Sequence, residues 1–156
     1  MNKSTLFLFA FFLPLAARSQ CVSPLASGTT AGLHAVFFTQ PDRGYVAGEG
    51  GTLRRSTDGG ATWADQDART AQTIQGLYFR DDNNGWAVGD RGLIRHTSNA
   101  GANWRMQTSP VRSDLYDVAF SSALTGLIAG ECGVILRTTD GGATWVLTPS
   151  GTSNTL

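Results

Sequence analysis

Three six-residue stretches, LHAVFF from Leu33, IQGLYF from Ile74 and LYDVAF from Leu115, place apolar residues on both faces of an extended chain. That pattern predicts a strand covered on both sides. Each is followed by a turn, PDRG, DNNG or ALTG, whose glycine is expected to supply a position with φ > 0. A second strand follows: YVAG, WAVG or LIAG. Tight turns come next at Glu49-Gly50-Gly51, Asp90-Arg91-Gly92 and Glu131-Cys132-Gly133, then a third strand, TLRRS, LIRHT or VILRT. A last turn returns the chain into a fourth strand that starts at a tryptophan. No segment after residue 20 carries a helical period.

The pattern repeats every 41 residues. Trp63, Trp104 and Trp145 keep this step, as do Gly48, Gly89 and Gly130, and Phe38, Phe79 and Phe120. Four short antiparallel strands in about 40 residues is the size of one propeller blade. The fold class is therefore all-β, with three four-stranded blades at 33–73, 74–114 and 115–155. They form an open arc or part of a larger propeller, because closed rings need about four to eight blades. Both ends fall in phase. Leu156 stands one period after Leu115, and Ser27-Gly28-Thr29 matches Ser150-Gly151-Thr152 three periods later. The expectation is a piece of a longer propeller, or an arc whose ring is completed by self-association.

The first residues lie outside this pattern. Lys3, an apolar run from Leu6 to Ala17 and the small residues of Ala17-Arg18-Ser19 predict an export signal over 1–19, then a linker over 20–32. The run is too short to span a bilayer, and nothing like it recurs, so no membrane span is expected. The expected location is periplasmic or extracellular. Without the signal the chain keeps ten basic residues, all arginine, against twelve acids. That balance argues against a nucleic-acid binder working through bulk charge. Cys21 precedes the first blade and Cys132 lies on a turn of the third, so no bridge between them is expected within one monomer.

The last turn of each repeat carries the most specific motif. It reads STDGGATW at Ser56–Trp63, TSNAGANW at Thr97–Trp104 and TTDGGATW at Thr138–Trp145. An aspartate at the mouth of a hairpin can accept hydrogen bonds from backbone N–H groups across the turn. The paired glycines permit the backbone this needs, the threonine can bond back, and the tryptophan supplies an apolar plate between blades. The scaffold set is thus Asp58, Gly60, Thr62 and Trp63; Asn99, Gly101 and Trp104; and Asp140, Gly142, Thr144 and Trp145. Asn99 keeps an acceptor oxygen but could not replace a catalytic acid, which favours scaffold over catalysis. This motif resembles the Asp-box, or bacterial neuraminidase repeat. The wider pattern over residues 33–147 is most similar to repeats of the photosystem II stability and assembly factor family. The resemblance implies a propeller whose boxes face away from any active site, and a protein-binding or assembly role.

Candidate chemistry is sparse. Arg55 and Arg137 share a column with His96, and Arg54 aligns with Arg95, so repetition favours structural or surface roles. Tyr45, Tyr78 and Tyr116 fall on strands, where core packing explains them. Asp81 and Asp82, or Asp114 and Asp117, are the only pairs that suggest two-carboxylate glycosidase chemistry. His34 and His96 match no zinc spacing. No catalytic residue, metal ligand or cofactor is therefore assigned. Glu49, Asp90 and Glu131 place one acid per blade at equivalent turns, on the face opposite the boxes, and are the candidate contact surface for a protein partner. Three readings follow. The first is an exported, non-enzymatic propeller that binds or helps to assemble proteins. The alternative is the non-catalytic part of a sialidase-like Asp-box glycoside hydrolase. The third is a fragment with no independent role.

Overall fold

The computed structural model describes residues 26–151. The expected signal over 1–19, Cys21 and the in-phase Leu156 lie outside the described residues. Twelve strands form three antiparallel sheets. Blade one holds β1 (Leu33–Phe38), β2 (Gly44–Gly48), β3 (Leu53–Ser56) and β4 (Ala64–Asp65). Blade two holds β5 (Ile74–Phe79), β6 (Gly85–Gly89), β7 (Leu93–Thr97) and β8 (Arg105–Met106). Blade three holds β9 (Leu115–Phe120), β10 (Gly126–Gly130), β11 (Ile135–Thr138) and β12 (Val146–Thr148). Three-residue 3-10 turns are the only helical elements among the described residues. The same register shift interrupts the first ladder of every blade, between Leu33 and Ala35, between Ile74 and Gly76, and between Ala129 and Gly130. A repeated sequence therefore yields a repeated bulge, not merely a repeated strand count.

The core lies between blades rather than within them. One cluster joins Tyr45, Ala47 and Leu53 of blade one to Ile74, Leu77, Phe79 and Trp104 of blade two. A second joins Trp86, Val88 and Ile94 of blade two to Leu115, Val118, Ile128 and Trp145 of blade three. Strand alternation explains how β6 serves both: Ala87 points to one neighbour, Trp86 and Val88 to the other. The joint is built twice on one plan. Tyr45 stacks on Phe79 with centroids 4.0 Å apart, and Trp86 lies on Phe120 at 4.3 Å. The box tryptophan then closes edge-on against the same phenylalanine, Trp104 at 6.0 Å and Trp145 at 5.9 Å. Such pairs add about 0.5–1.5 kcal/mol beyond their area of burial.

One expectation is corrected here. Gly44, Gly85 and Gly126 do not supply positive φ; each opens the second strand in extended conformation. Their role is clearance. A Cβ would stand 2.7 Å from the Phe38 ring, 2.6 Å from Phe79 and 2.8 Å from Phe120. The glycine lets its cross-strand phenylalanine lie flat over the backbone.

The two end faces remain open among the described residues. Phe38 and Val36 of blade one are 45% and 64% exposed, and Leu127 of blade three is 48% exposed. Trp63 is half-buried, whereas Trp104 and Trp145 are buried. This asymmetry yields a test. Trp104→Ala should cost about 3–5 kcal/mol of unfolding free energy, the usual loss for a buried aromatic. Trp63→Ala should cost clearly less. Urea melts of the two variants compare them directly, and equal losses would contradict the inter-blade core.

Candidate functional site

Each box turn is held by its own residues and by the neighbouring hairpin. Gly59, Ala100 and Gly141 donate backbone N–H groups to the carbonyls of Asp42, Asn83 and Leu124, at 2.9, 3.0 and 2.9 Å. In blade one, Asp58 Oδ1 accepts from Ser56 Oγ at 2.8 Å and from Thr62 N at 2.9 Å, and Oδ2 accepts from Thr62 Oγ1 at 2.5 Å. Asp140 repeats this in blade three with Thr138 Oγ1 at 2.7 Å, Thr144 N at 3.0 Å and Thr144 Oγ1 at 2.6 Å. In blade two, Asn99 Oδ1 keeps the bonds from Thr97 Oγ1 at 3.0 Å and Asn103 N at 2.9 Å. The second oxygen and the hydroxyl that would meet it are both gone, since Asn103 stands where the other boxes have threonine.

These donors act on ionisation. The Thr62 hydroxyl, then the Thr62 amide and the Ser56 hydroxyl, hold the Asp58 carboxyl down at about 2. The Thr144 hydroxyl and amide and the Thr138 hydroxyl lower Asp140 still further. Both carboxylates are exposed, yet every strong donor reaching them comes from the turn itself.

The second glycine of the box has a further task. Gly101 and Gly142 lie in the left-handed region, with φ of 80° and 81°. A Cβ on Gly142 would stand 2.7 Å from Trp86 Nε1, and one on Gly101 would stand 3.2 Å from Tyr45 Cε1. The aromatic residue of one blade therefore rests on the box of the next. Tyr45 also donates its hydroxyl to the Ala100 carbonyl at 3.0 Å. Gln107 locks the other joint, donating Nε2 to the Gly142 carbonyl at 2.7 Å and accepting from Trp145 Nε1 at 3.1 Å. Sequence reasoning missed this glutamine. Its signal was available, because Gln66 stands one period earlier. Likewise Ser56, Thr97 and Thr138 form a buried hydroxyl column whose oxygens accept from Gly60, Gly101 and Gly142 at 2.8, 3.0 and 2.9 Å.

The opposite rim carries Glu49, Asp90 and Glu131, each opening a 3-10 turn at the far end of its second strand. Glu49 Oε2 accepts from Gly32 N at 3.1 Å, and Asp90 Oδ1 accepts from Gln75 Nε2 at 3.0 Å. Arg91 N donates to Asp114 Oδ1 at 2.8 Å, which joins the rim to the start of blade three. Cys132 is an exposed free thiol on the third turn.

The other candidates are dispersed. Asp81 closes its own turn, taking Asn83 N at 2.8 Å and Asn84 N at 2.7 Å, while Asp82 receives Gln40 Nε2 at 3.0 Å. Asp117 Oδ1 takes Val118 N at 2.8 Å. Arg54 pairs with Asp65 at 2.8 Å and donates to the Ser27 carbonyl; Arg95 donates to the Arg69 carbonyl. Both arginines thus tie a linker segment to a third strand. Tyr45 is fully buried and its hydroxyl is raised above its ordinary value by burial. His34 lies on exposed β1 and His96 on β7. No group of three or more metal-ligating side chains occurs among the described residues, and none of their helices is long and apolar enough to cross a membrane.

Residues 16–110 match the family described as photosynthesis system II assembly factor YCF48. The chain belongs to this family. A solved YCF48 bound to a D1 peptide superposes with a TM-score of 0.68 at 24% identity, over 76% of this chain and 41% of that one. YCF48 from Cyanidioschyzon merolae gives 0.64 at 23% identity, over 76% and 40%. A GH74 xyloglucanase from Xanthomonas campestris gives 0.59 at 19% identity, over 74% and 21%. The chain thus spans about two fifths of the YCF48 structures, and likeness at this identity concerns the propeller fold. No curated protein matches the sequence.

Family membership corrects the expected location. The YCF48 family comprises photosystem II assembly factors, typically of the thylakoid lumen, rather than clearly periplasmic or extracellular proteins. An amino-terminal export pattern reads alike for every destination beyond a membrane. It could not distinguish these compartments.

Two predictions test the box geometry. A carboxyl whose folded pKa is depressed stabilises the fold above its unfolded value and loses that contribution as pH falls through the folded one. For Asp58 the window runs from the ordinary 3.8 down to about 2, and for Asp140 it extends lower. Thermal melts in this range should show the wild type losing more stability than the double variant Asp58→Asn/Asp140→Asn. Parallel loss would exclude these carboxylates as the cause. Second, Gly142→Ala should destabilise more than Gly60→Ala. Both incur the left-handed cost of about 1–2 kcal/mol, but Gly142 adds the Trp86 clash, about 1–3 kcal/mol. At Gly60 the nearest atom to a new Cβ is 3.4 Å away. Chemical denaturation of both variants settles the order.

Proposed function

We propose that this chain is a non-enzymatic propeller segment that binds a protein partner in the assembly of photosystem II. The observation that carries this reading is the YCF48 family match over residues 16–110, joined to a related structure with a D1 peptide bound. In this reading the boxes, with Asp58, Asn99 and Asp140, are scaffold. Their acceptor oxygens are engaged by their own turns, and their glycines and tryptophans carry the blade joints. The contact surface is the opposite rim with Glu49, Asp90 and Glu131, where one carboxylate per blade stands on a rigid turn. The open faces around Phe38 and Leu127 favour self-association as a second contact.

The GH74 neighbours motivate the rival reading, a non-catalytic part of a glycoside hydrolase. Against it stands the YCF48 family match over residues 16–110, whereas the GH74 likeness, at 19% identity, is one of fold.

Fluorescence anisotropy with a labelled D1 peptide tests the proposal. Binding should saturate, and Glu49→Ala/Asp90→Ala/Glu131→Ala should weaken it several-fold while leaving the thermal melt intact. Absence of binding, or release of sugars from xyloglucan by the chain, would overturn it. Light scattering over a dilution series should give a mass above that of the monomer, which Phe38→Ser lowers.

A further inference from the structure

Blade two departs from its neighbours at several positions that meet in one place. A recess of about 190 Å3 beside β8 is lined by Arg69, His96, Ser98, Asn99, Asn103 and Arg105 against the face of Trp104. Comparison by period shows how this lining differs. Asn99 replaces the box aspartate, Asp58 or Asp140. Asn103 replaces Thr62 or Thr144, and Arg105 replaces Ala64 or Val146. Arg69 stands where Gly28 and Gly151 stand three periods apart, and it keeps their left-handed backbone at φ 54° although it is not glycine. His96 replaces Arg55 or Arg137, so one carboxylate is lost, guanidinium groups are gained at Arg69 and Arg105, and one is lost at His96.

The donors here lack acceptors. Among the described residues, the Arg105 guanidinium, the His96 ring nitrogens, the Ser98 hydroxyl and the side-chain NH2 groups of Asn99 and Asn103 make no hydrogen bond or ion pair. Asn99 Oδ1 is occupied by Thr97 and by Asn103 N, so its amide nitrogen is left for another acceptor. Arg69 shares an exposed pair with Asp67 at 3.7 Å, a contact of small worth in water. Asp67 does not line the recess, and no other carboxylate does. His96 is held neutral more readily than usual by burial and by Arg80, with Asp81 opposing, so the arginines and amides supply the positive character at neutral pH.

We propose that this recess is an oxyanion-binding site, taking one carboxylate or an anion of sulfate size. Guanidinium groups and primary amides are the donor set that oxyanions require, and charge-assisted bonds of this kind are the strong ones. In blades one and three the equivalent place already holds a carboxylate of the chain, locked by a threonine. Blade two instead offers the same turn without its anion.

Nuclear magnetic resonance on the full chain, labelled with nitrogen-15, tests this. The side-chain signals of Asn99, Asn103 and Arg105 are followed at neutral pH while sodium acetate or sodium sulfate replaces sodium chloride at constant ionic strength. Saturating shifts are expected with at least one oxyanion. Stronger response to acetate assigns a carboxylate ligand, and stronger response to sulfate a tetrahedral one. Asn99→Asp restores the residue of the other two boxes, so the turn is kept, and Arg105→Ala changes an exposed side chain. Each should weaken the apparent affinity by roughly tenfold, the scale of one charge-assisted bond. Shifts that never saturate, or a response in Asn99→Asp equal to wild type, would overturn the proposal.

Discussion

The structure depends on one contact made twice: an aromatic ring of one blade packed against a phenylalanine ring of the next. Tyr45 on Phe79 and Trp86 on Phe120 sit at the centre of the two apolar clusters. A four-stranded sheet this small has no interior of its own. Its apolar residues gain burial only against another blade, and fully burying a large apolar side chain is worth about 1.5–3 kcal/mol. Glycine makes the contact possible on both sides. Gly85 and Gly126 let the phenylalanines lie on their own strands, and Gly101 and Gly142 let the incoming ring approach the box.

The Asp-box is best understood from that contact. Its aspartate and hydroxyl residues shape a turn, and the turn aims a glycine and a tryptophan at the preceding blade. Asn99 shows which part of the motif the turn needs. It keeps the one oxygen that accepts from Thr97 and Asn103, and Trp104 behind it is as buried as Trp145. The second carboxylate oxygen serves only the threonine of the same box, and in blade two both members of that pair are exchanged together.

The family match and the propeller neighbours agree with this architecture and with one another. They also show why function is harder to read than fold. Propellers of an assembly factor and of a xyloglucanase share the same blade, since the blade's sequence constraints are those of its joints. The repeat columns therefore report the joints and not what a propeller binds.

Much of the fold was legible in the sequence because a 41-residue period determines local structure directly. Strand number, strand limits to within a residue or two, the box turns and the one acid per blade on the opposite rim all follow from residue type at a fixed spacing. What the period cannot tell is which copy of a residue has a neighbour. STDGGATW and TTDGGATW are nearly the same string, yet Trp63 is half-exposed and Trp145 buried, because burial is set by the adjoining blade. The same holds for Gly44, Gly85 and Gly126, which read as turn glycines and serve as clearance for a ring across the strand. It holds again for Arg69, His96, Asn103 and Arg105, which are scattered over nearly 40 positions and meet only when β7, β8 and the preceding linker pack together. Backbone geometry is a local property of a repeat; burial, clearance and the convergence of side chains are properties of pairs of segments, and only the tertiary structure decides them.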